Sequence, residues 1–379
     1  MSVISELAEK IINGYRIKRG DDLSIFLDAD LEELERCAGQ IQKRFRRNHV
    51  DLCAIINGKS GRCSENCKYC AQSHCHNTGI EEYSFLPKEV IVADAKKHAE
   101  AGVNRYAIVT AARALKGPDF DKAIEAFEEM KKTVKIGLCA SMGLIDREQF
   151  RRLKAAGVTS YHNNIETSRR FFPYICTTHT FEDKIRTIKI GQEEGLCVCS
   201  GGIIGMGETW EDRLDMALTL AELKIYSIPI NALMPIPGTA LEHLSRISKE
   251  DVMRTIAFFR FINPEANIRL GAGRDILGDH GAKAFCSGAS ATITGDMLTT
   301  SGTTIKSDHE LIDSLGMSSE GPNDWDDEES KRLYEEGLKA PQQEIVLPEF
   351  KAEPVCQQVN VVSTVATRAT TGSFGEKEN

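Results

Sequence analysis

The chain has 379 residues, 41% of them hydrophobic, with a formal net charge of −9 at pH 7 and a pI of about 5.6. This is enough chain and enough apolar content for one large α/β domain with extensions, and the acidic balance argues against nucleic acid as a partner, which needs a basic face. No run of about 18 apolar residues is present and the N-terminus has neither a basic start nor an apolar signal core, so no membrane span and a cytoplasmic location are expected.

Residues 1–50 read as a polar helical extension, with Leu7, Ile11, Ile12 and Tyr15 at helical spacing. A second helix is expected to start after the capping Asp30, with Cys37 as a packed apolar residue. From residue 51 apolar β-rich runs alternate with amphipathic helices. The runs are 52–57, 105–111, 134–140, 159–165, 196–203, 227–233, 268–272 and 289–293. Between them helices are expected over 88–101, 121–132, 146–156, 181–194, 210–223 and 249–262. Three of them end on a glycine, Gly102, Gly157 and Gly195, each followed by an apolar residue. Glycine there supplies the left-handed cap that turns a helix back into a strand. Strands alternating with helices imply parallel pairing, and eight such units predict a (β/α)8 TIM-type barrel over 51–317. From pattern alone, a doubly wound sheet stands second. Residues 318–379 form a polar C-terminal extension, acidic around 322–330 and rich in Thr, Ser and Gly after 361. Such composition favours disorder, apart from a candidate helix over 327–338.

The first loop after the first strand carries Cys63, Cys67 and Cys70 in a Cys-x3-Cys-x2-Cys pattern. Iron–sulfur clusters are usually held by four Cys thiolates, so a cubane held by these three leaves one iron open to a substrate or cofactor. A zinc knuckle using His74, Cys75 and His76 is the alternative, although zinc sites favour paired spacings. The loop follows a strand and therefore sits at the C-terminal mouth of the barrel, where barrel enzymes build their active sites. In a reducing compartment the twelve Cys read as ligands or small buried hydrophobes rather than disulfides.

The string from Cys63 to Ser73, with an aromatic Tyr69 just before the last Cys, resembles the radical S-adenosylmethionine (SAM) superfamily and, within it, the biotin synthase family. Matching stretches follow in order: Tyr161-His-Asn-Asn-Ile-Glu-Thr-Ser168, Cys199-Ser-Gly-Gly-Ile-Ile-Gly-Met-Gly-Glu208, Pro229-Ile-Asn231 and Arg269-Leu-Gly-Ala-Gly-Arg274. The resemblance covers about residues 20 to 317.

It implies a [4Fe-4S] cluster on Cys63, Cys67 and Cys70 whose open iron takes the amino and carboxylate groups of SAM. It implies a 5′-deoxyadenosyl radical that abstracts hydrogen from dethiobiotin, at the carbons into which sulfur is inserted. Tyr69, Gly201 and Gly202 are expected around the adenosine. Asn164 and Glu166 alternate on the fourth predicted strand and so share a face. By resemblance Asn164 contacts SAM and substrate, and Glu166 takes the place of an acidic residue that holds the ribose. Lys184 stands where relatives have an Arg for the SAM carboxylate. Asn231 matches an Asn on the dethiobiotin ring. The family also carries an auxiliary iron–sulfur cluster, [2Fe-2S] or larger here, as sulfur source. Cys139, Cys199 and Arg269 match three of its ligands, and Ala107 stands at the fourth. Cys197 lies two residues before Cys199 on the same strand face and is placed to supply the missing thiolate. Cys286 reads as packing, and Cys53, Cys75, Cys176 and Cys356 carry no spacing signal. Expected partners are dethiobiotin, a small electron-transfer protein (flavodoxin or ferredoxin) and a second copy of the chain in a homodimer. Two other readings stay open. One is another radical SAM enzyme of this architecture, such as a hydrogenase maturase or methylornithine synthase. The other is a metal-binding scaffold without catalysis.

Overall fold

In the computed structural model, residues 2–296, 298 and 302–320 are described. Nine strands follow in chain order: β1 (Asp51–Lys59), β2 (Arg105–Thr110), β3 (Gly137–Ser141), β4 (Ser160–His162), β5 (Cys197–Cys199), β6 (Gly202–Ile204), β7 (Ser227–Ala232), β8 (Asn267–Leu270) and β9 (Ala291–Ile293). Their order in the sheet is β5-β4-β3-β2-β1-β9-β8-β7-β6, and a β5–β7 pairing through Cys199 and Ser227 closes it. Every ladder is parallel. The fold is thus the (β/α)8 barrel, with the fifth predicted run broken into β5 and β6. The break falls at Ser200–Gly201 because a Cβ at Gly201 would lie 2.0 Å from Pro229 O, so the chain presses on β7 there.

The outer helices arise where the periodicity puts them, Lys88–Glu100, Gly117–Thr133, Arg147–Ala155, Phe181–Glu193, Trp210–Glu222 and Lys249–Ile262. Gly102, Gly157 and Gly195 follow three of them at φ of 81°, 101° and 80°, which fits the left-handed cap. In the N-terminal extension Ser2 caps helix Val3–Ile12 and Asp30 caps helix Leu31–Arg46; Tyr15 lies beyond the first helix. These helices belong to the same body as the barrel. Phe26 meets Phe258 and Phe261 of helix Lys249–Ile262, and Arg254 of that helix donates to Phe26 O and Ala29 O. Cys37 is fully buried there, whereas Cys286, expected to pack, is exposed at the end of a short helix. Apart from residues 318–320, the C-terminal extension, its candidate helix over 327–338 and Cys356 lie outside the described residues.

Two kinds of core result. Leu52, Ala54, Tyr106, Ile108, Ala140, Tyr161, Val198, Ile228 and Ile268 face the helices and are completely shielded. The alternate residues of the same strands fill the barrel with polar groups and thiols: Asp51, Cys53, Arg105, Cys139, Ser160, Cys197, Cys199, Ser227 and Arg269. Barrel interiors are usually packed with branched apolar residues. An interior of thiols and charges costs desolvation and calls for a function.

Candidate active site

β1 leads directly into the cysteine loop, whose backbone folds on itself. Cys63 N donates to Gln72 O at 3.0 Å, His74 N to Cys63 O at 2.9 Å and Cys70 N to Cys67 O at 3.0 Å. The buried Gln72 amide oxygen accepts from Asn57 Nδ2 (3.1 Å) and Gly61 N (3.2 Å), fixing the loop on the strand end. A second segment holds the other side: Lys68 N donates to Ile175 O, and Asn66 Oδ1 accepts from the Thr177 and Thr178 amides. The three thiols are half-buried. Burial pushes Cys70 up to about 11, and Cys63 stands close enough to raise it further. Burial also raises Cys63, while the Lys184 ammonium counteracts it. Three neighbouring thiols that resist ionisation as bare side chains fit a cationic iron cluster that takes all three protons away. His74 and His76 instead turn Nδ1 to Cys63 O and Cys70 O, and Cys75 Sγ is exposed beside its own neighbour's ring. Those two rings hold the loop rather than gather a zinc site.

The residues expected around SAM come together across the mouth. Burial, then the Glu166 carboxylate, push the Tyr69 phenol well above its ordinary value. Glu166 Oε2 is buried with no hydrogen-bond partner, an acceptor left for a ligand hydroxyl. Asn164 and Glu166 are not on the fourth strand as the alternation predicts: β4 stops at His162. Beyond it the chain follows its neighbour irregularly, with Glu166 N on Gly201 O (3.1 Å) and Ile203 N on Glu166 O (2.8 Å). Glu166 takes φ of 70°, a left-handed conformation uncommon for a non-glycine residue, of the kind that gathers at functional sites. Asn164 Oδ1 accepts from Gly201 N at 2.9 Å. Gly201 and Gly202 answer first to this close chain contact, because a Cβ on Gly202 would lie 2.3 Å from Glu166 O. Asn231, midway in the mouth, donates to Gly202 O (3.1 Å) and accepts from Ala272 N (2.9 Å). One N–H and one lone pair of its amide remain.

Deeper in the barrel the parallel register sets Cys53 beside Arg105, Ala107 beside Cys139, Cys139 beside Ser160, Ser160 beside Cys197 and His162 beside Cys199. Cys139, Cys197 and Cys199 therefore share one interior with Cys53, a residue that spacing alone did not single out. Desolvation by burial pushes Cys53 up to about 11, where the Arg269 charge opposes it and Cys199 adds to it. Burial pushes Cys197 up to about 12 against the pull of Arg105. Cys139 rises well above its ordinary value by burial, then by Cys53 and Cys199. Arg269 is engaged on all sides: Nη2 with Asp51 Oδ2 (3.0 Å), Nη1 with Thr292 O (2.9 Å) and Asp51 O (3.2 Å), and Nε with Ser227 Oγ (3.4 Å). Asp51 Oδ2 also takes Arg105 Nε at 3.0 Å, and Arg105 Nη1 donates to Ser160 Oγ at 2.8 Å. His162 Nδ1 stands 3.5 Å from Cys199 Sγ, and burial lowers its pKa to about 4, so the imidazole is neutral. Four thiols beside two guanidiniums fit an anionic iron–sulfur cluster. Asp51, Cys53, Arg105 and His162 all escaped the sequence reading. The alternation Asp51-x-Cys53-x-Ile55-x-Asn57 was the available signal, since it puts Cys53 on the inward face.

A closed parallel barrel with a three-cysteine loop on its first strand defines a radical SAM enzyme. Residues 59–220 match the Radical SAM superfamily and residues 229–318 the Biotin and Thiamin Synthesis associated domain. The biotin synthase of Alkaliphilus metalliredigens is 59% identical over 314 residues, covering 83% of this chain and 99% of that protein. The biotin synthase of Clostridium beijerinckii is 57% identical over 315 residues, 83% of this chain and 100% of that protein. Among solved structures, a methylornithine synthase superposes with a TM-score of 0.72 at 19% identity, covering 83% of this chain and 97% of that chain. A maturase of the [FeFe]-hydrogenase does so with 0.72 at 17%, covering 89% and 78%. These two share the fold. The chain belongs to the biotin synthase family, and it is an enzyme, a radical SAM sulfurtransferase.

Proposed function

We propose that the mouth of this barrel binds SAM against the cysteine loop and dethiobiotin between Asn164 and Asn231. We also propose that the thiol-lined interior holds an auxiliary cluster. Cys63, Cys67 and Cys70 would hold the [4Fe-4S] cluster. Reduced by a small redox protein, flavodoxin or ferredoxin, and with SAM bound beside it, that cluster would supply the radical chemistry that removes hydrogen from saturated carbons. Cys53, Cys139, Cys197 and Cys199 would hold the auxiliary cluster, the sulfur source, with Arg105 and Arg269 as hydrogen-bond donors. Arg269 is kept in that role by Asp51, Ser227 and two backbone carbonyls, and a guanidinium stays protonated. Glu166 offers its unpartnered Oε2 to the ribose, Tyr69 lies against it, and Lys184 near the loop supplies a positive charge for the SAM carboxylate. A Lys gives one point charge there where an Arg gives a fork. The cyclic urea of dethiobiotin has two N–H donors and a carbonyl acceptor, which the Asn amides complement. A homodimer in the cytoplasm completes the reading.

The observation that carries it is the gathering of four thiols, three buried and Cys199 half-buried, and two guanidiniums inside a barrel that ordinarily holds aliphatic side chains. The test is anaerobic reconstitution with iron and sulfide, then reduction with SAM and dethiobiotin. Biotin and 5′-deoxyadenosine form together, and the iron content exceeds the four of the SAM cluster. Biotin made by protein holding four irons would place the sulfur source elsewhere.

A further inference from the structure

Cys67, which the reading above gives to the [4Fe-4S] cluster, has a second set of neighbours. The segment that braces the loop brings Cys176 Sγ to 3.7 Å from Cys67 Sγ. The His179 ring edge lies against Cys176 Sγ, with Nδ1 at 3.3 Å and Nε2 at 3.9 Å. The ligand atoms of Cys67, Cys176 and His179 all lie within 4.8 Å of one another. With zinc–sulfur bonds of about 2.3 Å and zinc–nitrogen bonds of about 2.0–2.1 Å, a tetrahedral ion sets two sulfurs about 3.8 Å apart and sulfur and nitrogen about 3.6 Å apart. The protein holds the two sulfurs at that spacing without an ion, with the imidazole of His179 beside them.

The surroundings complete the pattern. His179 is 6% exposed, and its Nδ1 meets Glu65 Oε2 at 2.5 Å. Glu65 is 6% exposed and also receives Thr178 Oγ1 at 2.7 Å. A carboxylate on one imidazole nitrogen, which leaves the other to bind, is the usual support of a metal-ligating histidine. Asn66 Oδ1 and Thr178 Oγ1 each lie 3.5 Å from Cys176 Sγ.

We propose that the cluster-free protein binds one divalent ion of borderline softness, Fe2+ or Zn2+, through Cys67 Sγ, Cys176 Sγ and His179 Nε2. Water takes the fourth position. Binding releases the two thiol protons. Because Cys67 is shared, ion and [4Fe-4S] cluster exclude each other, so the site is a holding position for the empty loop; this exclusion rests on the cluster ligands proposed above.

Cobalt(II) is the probe, added anaerobically to the full-length metal-free chain and read by thiolate-to-cobalt absorption and bound metal per chain. Cys176→Ala and His179→Ala each lose one cobalt equivalent relative to the parent, and the double variant Cys63→Ala/Cys70→Ala keeps it. Glu65→Gln weakens that equivalent by about 10–100-fold. X-ray absorption of the zinc-loaded Cys63→Ala/Cys70→Ala protein shows two sulfurs and one nitrogen at this ion. Equal cobalt content in parent and Cys176→Ala, or its loss in the double variant alone, overturns the site. Rebuilding the cluster with iron and sulfide then expels this cobalt. Cobalt retained beside a complete cluster overturns the exclusion and removes Cys67 from the cluster ligands, while leaving the ion site standing.

Discussion

Asp51 Oδ2 lies 3.0 Å from Arg269 Nη2 inside the barrel, with both side chains almost fully shielded from solvent. The same oxygen takes Arg105 Nε at 3.0 Å, so one carboxylate balances two buried guanidiniums. Removing one member of a buried ion pair strands charge in a medium that solvates it poorly, at about 3–5 kcal/mol. Asp51→Asn is therefore expected to lower the unfolding free energy of the cluster-free protein by about that amount in urea. A loss below about 1 kcal/mol would mean the guanidiniums find other partners.

The SAM-cluster reading predicts that replacing any one of Cys63, Cys67 and Cys70 by Ala abolishes reductive SAM cleavage. Three thiolates leave no spare ligand for a cubane. The check is 5′-deoxyadenosine formation after anaerobic reconstitution and reduction. Cleavage retained in all three variants would sink the assignment.

Much of the architecture was legible because it rests on local rules. Apolar period, helix caps and the glycines at 102, 157 and 195 announce the βα units, and helix Lys249–Ile262 spans the predicted residues. The fourth strand is shorter than its apolar run and the fifth run is split in two. Their ends are decided by contact between chains far apart in sequence, Gly201 against Pro229 and Gly202 against Glu166, which no local pattern records. The cysteine loop announced itself by spacing. Cys53 did not, since one thiol on one strand has no spacing, and only barrel closure sets it near Cys199. Cys176 meets Cys67 across 109 residues, a relation without any sequence signal.

The left-handed turn at Glu166 is tied down two residues later. Ser168 Oγ donates to Asp212 Oδ1 at 2.6 Å, and Arg170 Nε reaches the same oxygen at 3.0 Å. Burial alone would raise the Asp212 pKa; the hydrogen bonds from Ser168, Thr209 and Arg170 outweigh it and hold the carboxyl below its ordinary 3.8. A folded pKa below the unfolded one stabilises the fold above that unfolded value. The contribution is complete above about pH 4 and is lost as pH falls through the lower folded value. Asp212→Asn should thus flatten the decline of stability below pH 4 and cost on the order of 2 kcal/mol at neutral pH. Parallel pH profiles in parent and variant would show that Asp212 is not held in this way.

Asn164 and Asn231 have double duty, and the two duties separate experimentally. Each braces backbone, Asn164 at Gly201 and Asn231 between Gly202 and Ala272, and each retains amide capacity toward the mouth. Losing one buried hydrogen-bond partner costs about 1–3 kcal/mol, or about five- to 150-fold in affinity. Asn231→Ala is expected to weaken dethiobiotin by such a factor in calorimetry, with SAM present. Unchanged affinity in a destabilised variant would leave Asn231 only the bracing role.

The auxiliary site makes the sharpest demand on the chain. Ala107 stands where the resembled pattern has a thiolate, and on the reading proposed above Cys53 and Cys197 take its place, Cys53 paired in register with Arg105 and Cys197 with Ser160. Residues two apart on a strand, such as Cys197 and Cys199, are separated by about 6–7 Å along the backbone, which suits two irons of one cluster better than one. On the reading proposed above, four thiolates spread over β1, β3 and β5 match the four that a [2Fe-2S] or a larger cluster takes. Cys53→Ala and Cys197→Ala should each lower iron and sulfide beyond the SAM cluster and change the Mössbauer spectrum, while SAM cleavage without dethiobiotin persists. Biotin formation falls in both, because the cleavage chemistry survives and the sulfur source does not. If either variant carries the parent's iron, sulfide and spectrum, that cysteine is a core residue, and the cluster is completed by the remaining thiols with Arg269 or His162 beside them.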